Sequence, residues 1–257
     1  MTARSRFTSL ARSPRLFRRS SDDPPSYWTE ALGDPPSVYG ERIYPLEDRT
    51  LRRWEPGRSK LGAAIVKGWV EPLPKAGERW LYLGAATGTT ASHVADLVGP
   101  SGAVFAVEKS LRPFARLLSL AERYPNLAPL LGDARRSESF LAEVPPVDGL
   151  YLDVAQPDQA QIAWANARRF LRSDGALLLV LKTSSMGRDL GPRAHLDRTL
   201  DLLSDGFELA RPFGLDPFHR RHFLIGAWPT KRLFRDDAVR DAARGARAIR
   251  PPAGSRS

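Results

Sequence analysis

The stretch WLYLGAATGTT, at residues 80–90, constrains the fold of this chain most strongly. Its first four residues are an apolar run typical of a buried strand, and small residues from Gly84 to Gly88 then form a sharp turn. Thr89 opens a segment with the apolar spacing of a helix, which Gly99-Pro100 ends. The backbone of such a turn can approach a ligand closely, and the first N–H groups of the helix are free to bond it. The stretch therefore predicts a cradle for a nucleotide cofactor.

The spacing of this turn discriminates between cofactors. The dinucleotide fingerprint is Gly-x-Gly-x-x-Gly, whereas here Ala86 stands where the second glycine should be. No lysine follows Gly88, which excludes a P-loop. The next apolar run, Ala103 to Val107, ends in Glu108, whose carboxylate can accept hydrogen bonds from both hydroxyls of an adenosine ribose. The combination predicts S-adenosylmethionine, and an ordinary strand–turn–helix of a doubly wound domain is the alternative interpretation.

Composition excludes several classes of protein. The chain of 257 residues is long enough for one large domain, and no run approaches the ~18 apolar residues of a membrane span. It has no cysteine, so disulfides and thiolate metal sites are excluded, and we predict no metal site and no membrane partner. The net charge of +10 favours a polyanionic partner, RNA or DNA before acidic lipid, although much of the positive charge lies near the two ends.

Four segments are predicted along the chain. Residues 1–35 are expected to be a disordered basic arm, because the first 25 residues contain six arginines and no acid before Asp22. An organelle transit peptide is the alternative for this segment. The rest is divided into a small β-rich unit at 36–57, a main domain at 58–230 and a basic extension at 231–257.

The main domain alternates predicted strands and helices. After a helix over residues 59–69 and the cradle come strands at 103–107, 127–131, 149–152 and 176–181, with helices at 111–123 and 160–171. Such alternation predicts a parallel sheet with helices on both faces. Residues 206–211 and 222–228 have only a loop between them, which predicts an antiparallel terminal hairpin. The fold class is therefore a Rossmann-like α/β methyltransferase sheet, mostly parallel, preceded by a small β-rich unit.

Charged residues end four of these predicted strands: Glu108, Asp133, Asp153 and Lys182. Ligands of open α/β sheets bind outside the carboxyl ends of the strands, so we expect the four side chains on one rim. A single acid at such a position is otherwise a helix cap or a loop anchor. Lys182 follows the wholly apolar run ALLLVL, and Asp153 is the obvious carboxylate to pair with it.

Seven stretches, in order from about Ser37 to Trp228, closely resemble the fibrillarin family, particularly its archaeal-type members. They are SVYGERIY, RSKLGAAIVKG, YLGAATGTTASHVADLVGPSGAVFAVE, GDAR, DVAQPDQ, LKTSS and RHFLIG. The resemblance implies methyl transfer from S-adenosylmethionine to a ribose 2′-hydroxyl of rRNA or tRNA. It also implies a box C/D guide RNA, a Nop-type scaffold protein and a kink-turn-binding protein as partners. An archaeal-type member is expected in the cytoplasm, with a nucleolar or organellar location left open.

Site residues follow from the turn and from the resemblance, position by position. The expected cofactor contacts are Gly84, Ala86, Gly88, Thr89, Thr90, Glu108, Lys109, Asp133, Ala134, Asp153, Val154, Ala155 and Gln156. Glu108 would hold the ribose, with Lys109 beside it where the family usually has an aromatic residue. Asp133 and Ala134 would frame the adenine, and residues 153–156 would face the methionine end.

The resemblance also implies a catalytic group of Lys60, Asp153 and Lys182, with His222 as a candidate fourth member. Lys182 would act as the base for the 2′-hydroxyl or as the charge that stabilises its alkoxide. Lys60 has an alternative interpretation as a surface lysine of an amphipathic helix, and His222 as a support of the hairpin.

Three functions remain open on the sequence. The first is guide-RNA-directed ribose 2′-O-methylation. The second is a methyltransferase of the same fold with another acceptor, either free-standing RNA or protein glutamine. The third is a structural subunit of an RNA–protein complex with a vestigial cofactor site, against which Glu108, Asp153 and Lys182 argue.

Overall fold

An antiparallel sheet forms the N-terminal part of the protein. The computed structural model describes residues 7–187 and 190–235. Five strands follow the spatial order β1-β2-β3-β5-β4. They are β1 (Phe7–Leu10), β2 (Ser13–Arg19), β3 (Ser26–Glu30), β4 (Ile43–Leu46) and β5 (Arg49–Arg53).

The prediction of a disordered arm over residues 1–35 is wrong for the described part of that segment. Strands β1, β2 and β3 occupy it, so the β-rich unit runs from residue 7 to residue 53 instead of from 36 to 57. Burial of apolar side chains outweighs the high arginine content, since Phe7, Leu16 and Trp28 are at most 8% exposed. Arg15 does not simply face water, because its guanidinium pairs with Glu30 at 3.1 Å. The basic extension is described only as far as residue 235.

The second sheet has eight strands and the topology expected of a Rossmann-like methyltransferase. Its strands are β6 (Arg79–Leu83), β7 (Ala103–Glu108), β8 (Leu127–Leu131), β9 (Val147–Leu152), β10 (Leu171–Lys182), β11 (Phe207–Leu209), β12 (Phe213–Gly214) and β13 (His222–Pro229). The order is β11-β13-β10-β9-β6-β7-β8, and β12 also pairs with β13. Pairing from β10 across to β8 is parallel, whereas β13 runs antiparallel to β10 and to β11. The predicted fold class, including the antiparallel hairpin, is confirmed.

Helices cover both faces of this sheet. They are α1 (Lys60–Val66), α2 (Thr89–Val98), α3 (Leu111–Ala121), α4 (Gln159–Phe170) and α5 (Pro192–Ser204). Alternate residues of β6 show how the faces divide: Trp80 and Tyr82 pack in the cluster of α1, α2 and α3, whereas Leu81 and Leu83 pack in the cluster of α4 and α5. None of the helices in the described ranges is long and apolar enough to cross a membrane.

Arg52 connects the two sheets through a buried polar network. This fully buried side chain of β5 has Nη2 at 2.8 Å from Glu41 Oε1 and Nη1 at 3.3 Å from Asp96 Oδ2 in α2. Thr29 of β3 also donates to Asp96 Oδ2, at 2.7 Å. Burial raises the pKa of Asp96 to about 6, an effect that the nearby Arg52 opposes. Tyr124 receives a further hydrogen bond from Arg52. The N-terminal sheet is thus fixed to the helix that follows the cofactor turn.

We expect Arg52→Ala to lower the free energy of unfolding by about 3–5 kcal/mol, because it leaves two buried carboxylates without their cation. Arg49→Ala is the matched control on the same strand. Its side chain is 47% exposed and lies 3.7 Å from Glu30, so its loss should cost less than about 1 kcal/mol. Urea denaturation of the full chain measures both values. Equal, small losses in the two variants would show that Arg52 does not hold the sheets together.

Candidate active site

The turn after β6 adopts the conformation that its small residues permit. Gly84 and Gly88 have φ angles of +83° and +88°, and Ala86 has a φ of +50°, all in the left-handed region. A Cβ on Gly84 would lie 2.7 Å from the main-chain oxygen of Asp153, and one on Gly88 would collide with Leu120 of α3. Glycine is therefore needed at both positions, by backbone conformation and by the close approach of neighbouring elements.

Glu108 holds this turn from the end of β7. Its Oε2 accepts a hydrogen bond from Ala86 N at 3.0 Å, and its Oε1 accepts one from Ser110 N at 2.7 Å. The residue is 8% exposed. Each carboxylate oxygen keeps a lone pair for a further donor, since a carboxylate has about four acceptor positions. The same side chain can thus fix the strained Ala86 and face a ligand.

A cavity of about 450 Å³ lies over the carboxyl ends of the central strands. Its lining contains most of the predicted cofactor residues: Gly84, Ala86, Glu108, Lys109, Asp133, Ala134, Asp153, Val154, Ala155 and Gln156. Val107, Gly132 and Lys182 complete the wall. At its rim Lys109 Nζ lies 3.9 Å from Asp133 Oδ2, and both side chains are substantially exposed. The volume falls in the range of ~300–1,000 Å³ that is usual for small-molecule sites.

Three predicted cofactor residues do not line this cavity. Gly88 packs against α3, and Thr89 borders a second cavity. The hydroxyl of Thr90 donates to Ser59 Oγ at 3.0 Å, because the first turn of α2 directs this buried side chain towards α1. A contact of Thr89 or Thr90 with the cofactor stays a prediction.

Asp153 brings the two predicted catalytic lysines together. Lys182 Nζ lies 2.7 Å from Asp153 Oδ1 and donates to the main-chain oxygen of Asp153 at 2.9 Å. Lys60 Nζ donates to Asp153 Oδ2 at 3.0 Å. The Asp153 side chain is 7% exposed, and those of Lys182 and Lys60 are 14% and 25% exposed. Lys60 is therefore not a free surface lysine, and each carboxylate oxygen faces one ammonium group.

Local structure fixes each member of this group. Lys60 is the first residue of α1, whose N-cap Ser59 accepts a hydrogen bond from Gly62 N at 3.2 Å. Lys182 is the last residue of β10, and Asp153 directly follows β9. Two ammonium groups and one carboxylate carry a net charge of +1. The group is therefore suited to stabilise a negative charge that develops beside it.

His222 lies beside this group on β13. It is the register partner of Lys182, and its Nδ1 is 2.7 Å from the main-chain oxygen of Arg220. Because a carbonyl can only accept, Nδ1 carries the proton and Nε2 keeps a lone pair. Burial, and then the charges of Lys60 and Lys182, lower the pKa of His222, while Arg220 and Asp153 oppose them. The imidazole is consequently neutral near pH 7.

His219, which was not predicted from the sequence, lies next to His222. The two ring centroids are 5.9 Å apart, and His219 Nε2 donates to the main-chain oxygen of Pro56 at 2.9 Å. This bond joins the loop before β13 to the segment that leads into α1. No local motif marks such a contact, because 163 residues separate its partners.

Gln159, which was likewise not predicted from the sequence, fixes the main chain of Lys182. Gln159 Oε1 accepts a hydrogen bond from Lys182 N at 2.8 Å, and its Nε2 donates to Lys182 O at 3.2 Å. The residue is fully buried at the start of α4. The signal was available in the stretch DVAQPDQ, of which Gln159 is the last residue.

Gln159→Ala should lower the free energy of unfolding by about 1–3 kcal/mol, because it leaves the peptide groups of Lys182 without partners. Gln161→Ala, at an exposed position of the same helix, is the control and should change stability little. Denaturant titration of both variants makes the comparison. If the two behave alike, Gln159 does not hold the end of β10.

Comparison with known proteins agrees with this geometry. A sequence model of the fibrillarin family matches residues 12–230. The fibrillarin-like rRNA/tRNA 2′-O-methyltransferase of Aeropyrum pernix is 45% identical over 191 residues, which cover 74% of this chain and 82% of that protein. The rRNA 2′-O-methyltransferase fibrillarin of Giardia intestinalis is 41% identical over 202 residues, which cover 77% of this chain and 62% of that protein.

Solved structures give the same result. The fibrillarin pre-rRNA processing protein of Methanococcus jannaschii has a TM-score of 0.83 at 32% identity, over 88% of this chain and 98% of that one. Aeropyrum pernix fibrillarin with natively bound S-adenosyl-L-methionine has a TM-score of 0.79 at 40% identity, over 86% and 97%. A fibrillarin/Nop5p complex matches with a TM-score of 0.77 at 36% identity, over 87% and 100%. The chain belongs to the fibrillarin family.

Proposed function

We propose that this protein transfers a methyl group from S-adenosylmethionine to a ribose 2′-hydroxyl of RNA. The observation that carries the proposal is the pairing of one carboxylate, Asp153, with both Lys60 and Lys182 at the wall of a cavity of cofactor size. The names of relatives from Aeropyrum pernix and Giardia intestinalis, both 2′-O-methyltransferases, support the reaction and the RNA substrate.

The residues of the cavity fit S-adenosylmethionine. Glu108 has free lone pairs for the two ribose hydroxyls, while its hydrogen bonds to Ala86 and Ser110 hold it in place. Asp133 and Ala134 wall the side at which the adenine would lie, and residues 153–156 wall the methionine side. Lys109, which pairs with Asp133, occupies the position where the family usually has an aromatic residue. The edge of the adenine would therefore contact the aliphatic part and the ammonium group of a lysine side chain.

The protein has two main tasks in this reaction: to align the ribose hydroxyl with the methyl group, and to stabilise the charge that develops on the hydroxyl oxygen. S-adenosylmethionine supplies, when bound, a methyl group that its sulfonium already activates. A ribose hydroxyl is a poor nucleophile near neutral pH, so the protein has to favour loss of its proton or stabilise the oxyanion. Alignment of the hydroxyl with the methyl group is the other contribution, since orientation alone removes much of the barrier.

The geometry favours a charge-stabilising role for Lys182. Its Nζ already faces two acceptors of Asp153, the Oδ1 and the main-chain oxygen. Among the described residues, Asp153 Oδ1 accepts no hydrogen bond despite this close approach, and Nζ donates to the main-chain oxygen instead. Since an ammonium group has three N–H donors, Lys182 can still direct a donor at the substrate oxygen. Lys60 adds a second positive charge through the other carboxylate oxygen. The proton of the hydroxyl then needs another acceptor, and the unprotonated Nε2 of His222 is the candidate in this part of the site.

We further propose that the protein works in a complex with a Nop-type scaffold protein. A solved complex of a fibrillarin with Nop5p, whose fibrillarin fold matches this chain, supports such a partner. A box C/D guide RNA and a kink-turn-binding protein as further members rest on the family resemblance alone. A cytoplasmic location likewise stays a prediction.

Lys182→Ala should reduce methyl transfer by ~100- to 10,000-fold, the usual contribution of a group that acts on the proton or the oxyanion. The affinity for S-adenosylmethionine should change little, because Lys182 contributes only one side of the cavity. The measurement is tritiated-methyl incorporation into guide-matched RNA in a reconstituted complex, with cofactor binding followed by calorimetry. Lys75→Ala, at an exposed position before β6, is the control.

Lys182→Arg separates the two roles of this residue, because a guanidinium keeps the charge but cannot accept a proton. We expect it to retain at least about ten times the activity of Lys182→Ala, as stabilisation by charge requires. Activity as low as that of the alanine variant would make Lys182 the base. Full activity of Lys182→Ala would remove the residue from the reaction.

A further inference from the structure

A second cavity borders the cofactor turn. It has a volume of about 660 Å³, and Thr87 and Thr89 line it. Gly84 and Ala86 instead line the 450 Å³ cavity proposed to hold S-adenosylmethionine, here called the cofactor cavity. The remaining wall comes from α3, from the loop around Tyr39 and from the residue Arg58 just before α1. The same five-residue turn therefore contributes to both cavities.

The lining of this second cavity is strongly basic. It contains Arg58, Arg116 and Arg123, and no aspartate or glutamate among its described residues. Arg123 Nη1 donates to the main-chain oxygens of Pro35 and Ser37 at 3.1 and 3.0 Å, so its charge is not neutralised. The Arg58 guanidinium lies 5.7 Å from the centroid of the Tyr39 ring.

None of the three guanidinium groups is ion-paired with a carboxylate in the part of the chain that the structure describes. Elsewhere on this protein arginines are commonly paired, as Arg135 is with Asp158 at 2.6 Å. Three like charges around one cavity repel one another, and an anion placed among them would relieve this repulsion.

The donors suit a phosphate group. Guanidinium groups bind phosphate oxygens with paired N–H donors. Thr87 and Thr89, which carry neutral hydroxyl donors, also line the cavity. The arginines supply the positive charge. The first turn of α2, which begins at Thr89, contains no acidic residue that would neutralise this charge.

The position of the cavity links it to the reaction centre. Arg58 precedes Lys60 by two residues, which places their Cα atoms at most about 7 Å apart. Thr89 is followed by Thr90, whose hydroxyl bonds to Ser59 between those two residues. A strand of RNA whose 2′-hydroxyl reaches Lys182 would bring its neighbouring phosphates to this side of α1.

We infer that the second cavity binds a phosphodiester of the RNA strand that is being methylated, and that Arg58 and Arg116 are its principal ligands. The inference rests on the proposed function, because it takes the acceptor to be RNA. The cavity thereby positions the target ribose from one side while the Lys60–Asp153–Lys182 group acts on it from the other.

Arg116→Gln is the main test, because Arg116 is exposed on α3 and lies in the cavity wall. Arg112→Gln, exposed on the same helix but outside the cavity, removes the same charge and is the matched control. Fluorescence anisotropy of the full chain with a labelled single-stranded oligoribonucleotide at several salt concentrations gives affinity and salt dependence. Calorimetry gives the affinity for S-adenosylmethionine, and Arg58→Gln provides a second variant.

Arg116→Gln and Arg58→Gln should each weaken RNA binding by about 3- to 10-fold and lower the slope of log K against log salt by roughly 0.7, the loss of one phosphate contact on a single strand. Cofactor affinity should stay unchanged, and Arg112→Gln should bind RNA like the parent protein.

Three results would overturn the inference. The first is an equal loss in Arg112→Gln, which would mean a general charge effect. The second is a loss of S-adenosylmethionine affinity with RNA binding intact, which would mean that the cavity binds the carboxylate of the cofactor instead of an RNA phosphate. The third is unchanged RNA binding in both Arg116→Gln and Arg58→Gln, which would mean that these guanidinium groups do not bind the RNA backbone.

Failure of the proposed function is distinguishable from failure of this inference. If the reconstituted complex transfers no methyl group, the proposed function is wrong. If RNA binding still depends on Arg116 in that case, the proposed phosphate site is nevertheless supported.

Discussion

The ion pairs of Asp153 are the interaction on which the rest of the site depends. The carboxylate receives Lys60 from α1 on one oxygen and Lys182 from β10 on the other. Its main chain is fixed as well, because Asp153 N donates to Leu83 O at 2.9 Å. Burying one unpaired charge would be costly, whereas a carboxylate that pairs with two ammonium groups tolerates partial burial. A change at Asp153 is therefore felt by both lysines and by the wall of the cofactor cavity.

The N-terminal sheet supports this site from a distance. Arg52 ties the sheet to Asp96 in α2, and the first turn of α2 bonds to the N-cap of α1 through Thr90 and Ser59. The chain of contacts runs from β5 through α2 to the helix that carries Lys60. The position of Lys60, a predicted catalytic residue, thus depends on a segment that contributes no residue to the 450 Å³ cavity.

The sequence allowed the main domain and the rim of the site to be predicted, because both follow from local patterns. Several apolar runs along the chain end in a charged residue. This pattern predicts that Glu108, Asp153 and Lys182 lie on one edge of a parallel sheet. The N-terminal strands were missed because six arginines suggested disorder, whereas burial of Phe7, Leu16 and Trp28 and the pairing of Arg15 with Glu30 decided the outcome. Gln159 and His219 act through hydrogen bonds to residues remote in sequence, and no periodicity reveals such partners.

The most direct test of this account is the rate of methyl transfer by Asp153→Asn under single-turnover conditions with saturating S-adenosylmethionine and guide-matched RNA. The substitution keeps the shape of the side chain and removes the charge that holds both lysines. We predict that the rate falls by at least about 100-fold, since misplacement of an aligned group by 1 Å has a cost of that size. Asp158→Asn, at the exposed pair with Arg135, should keep the rate of the parent protein. A rate for Asp153→Asn near that of the parent would contradict the account, because the lysines would then act without their shared carboxylate.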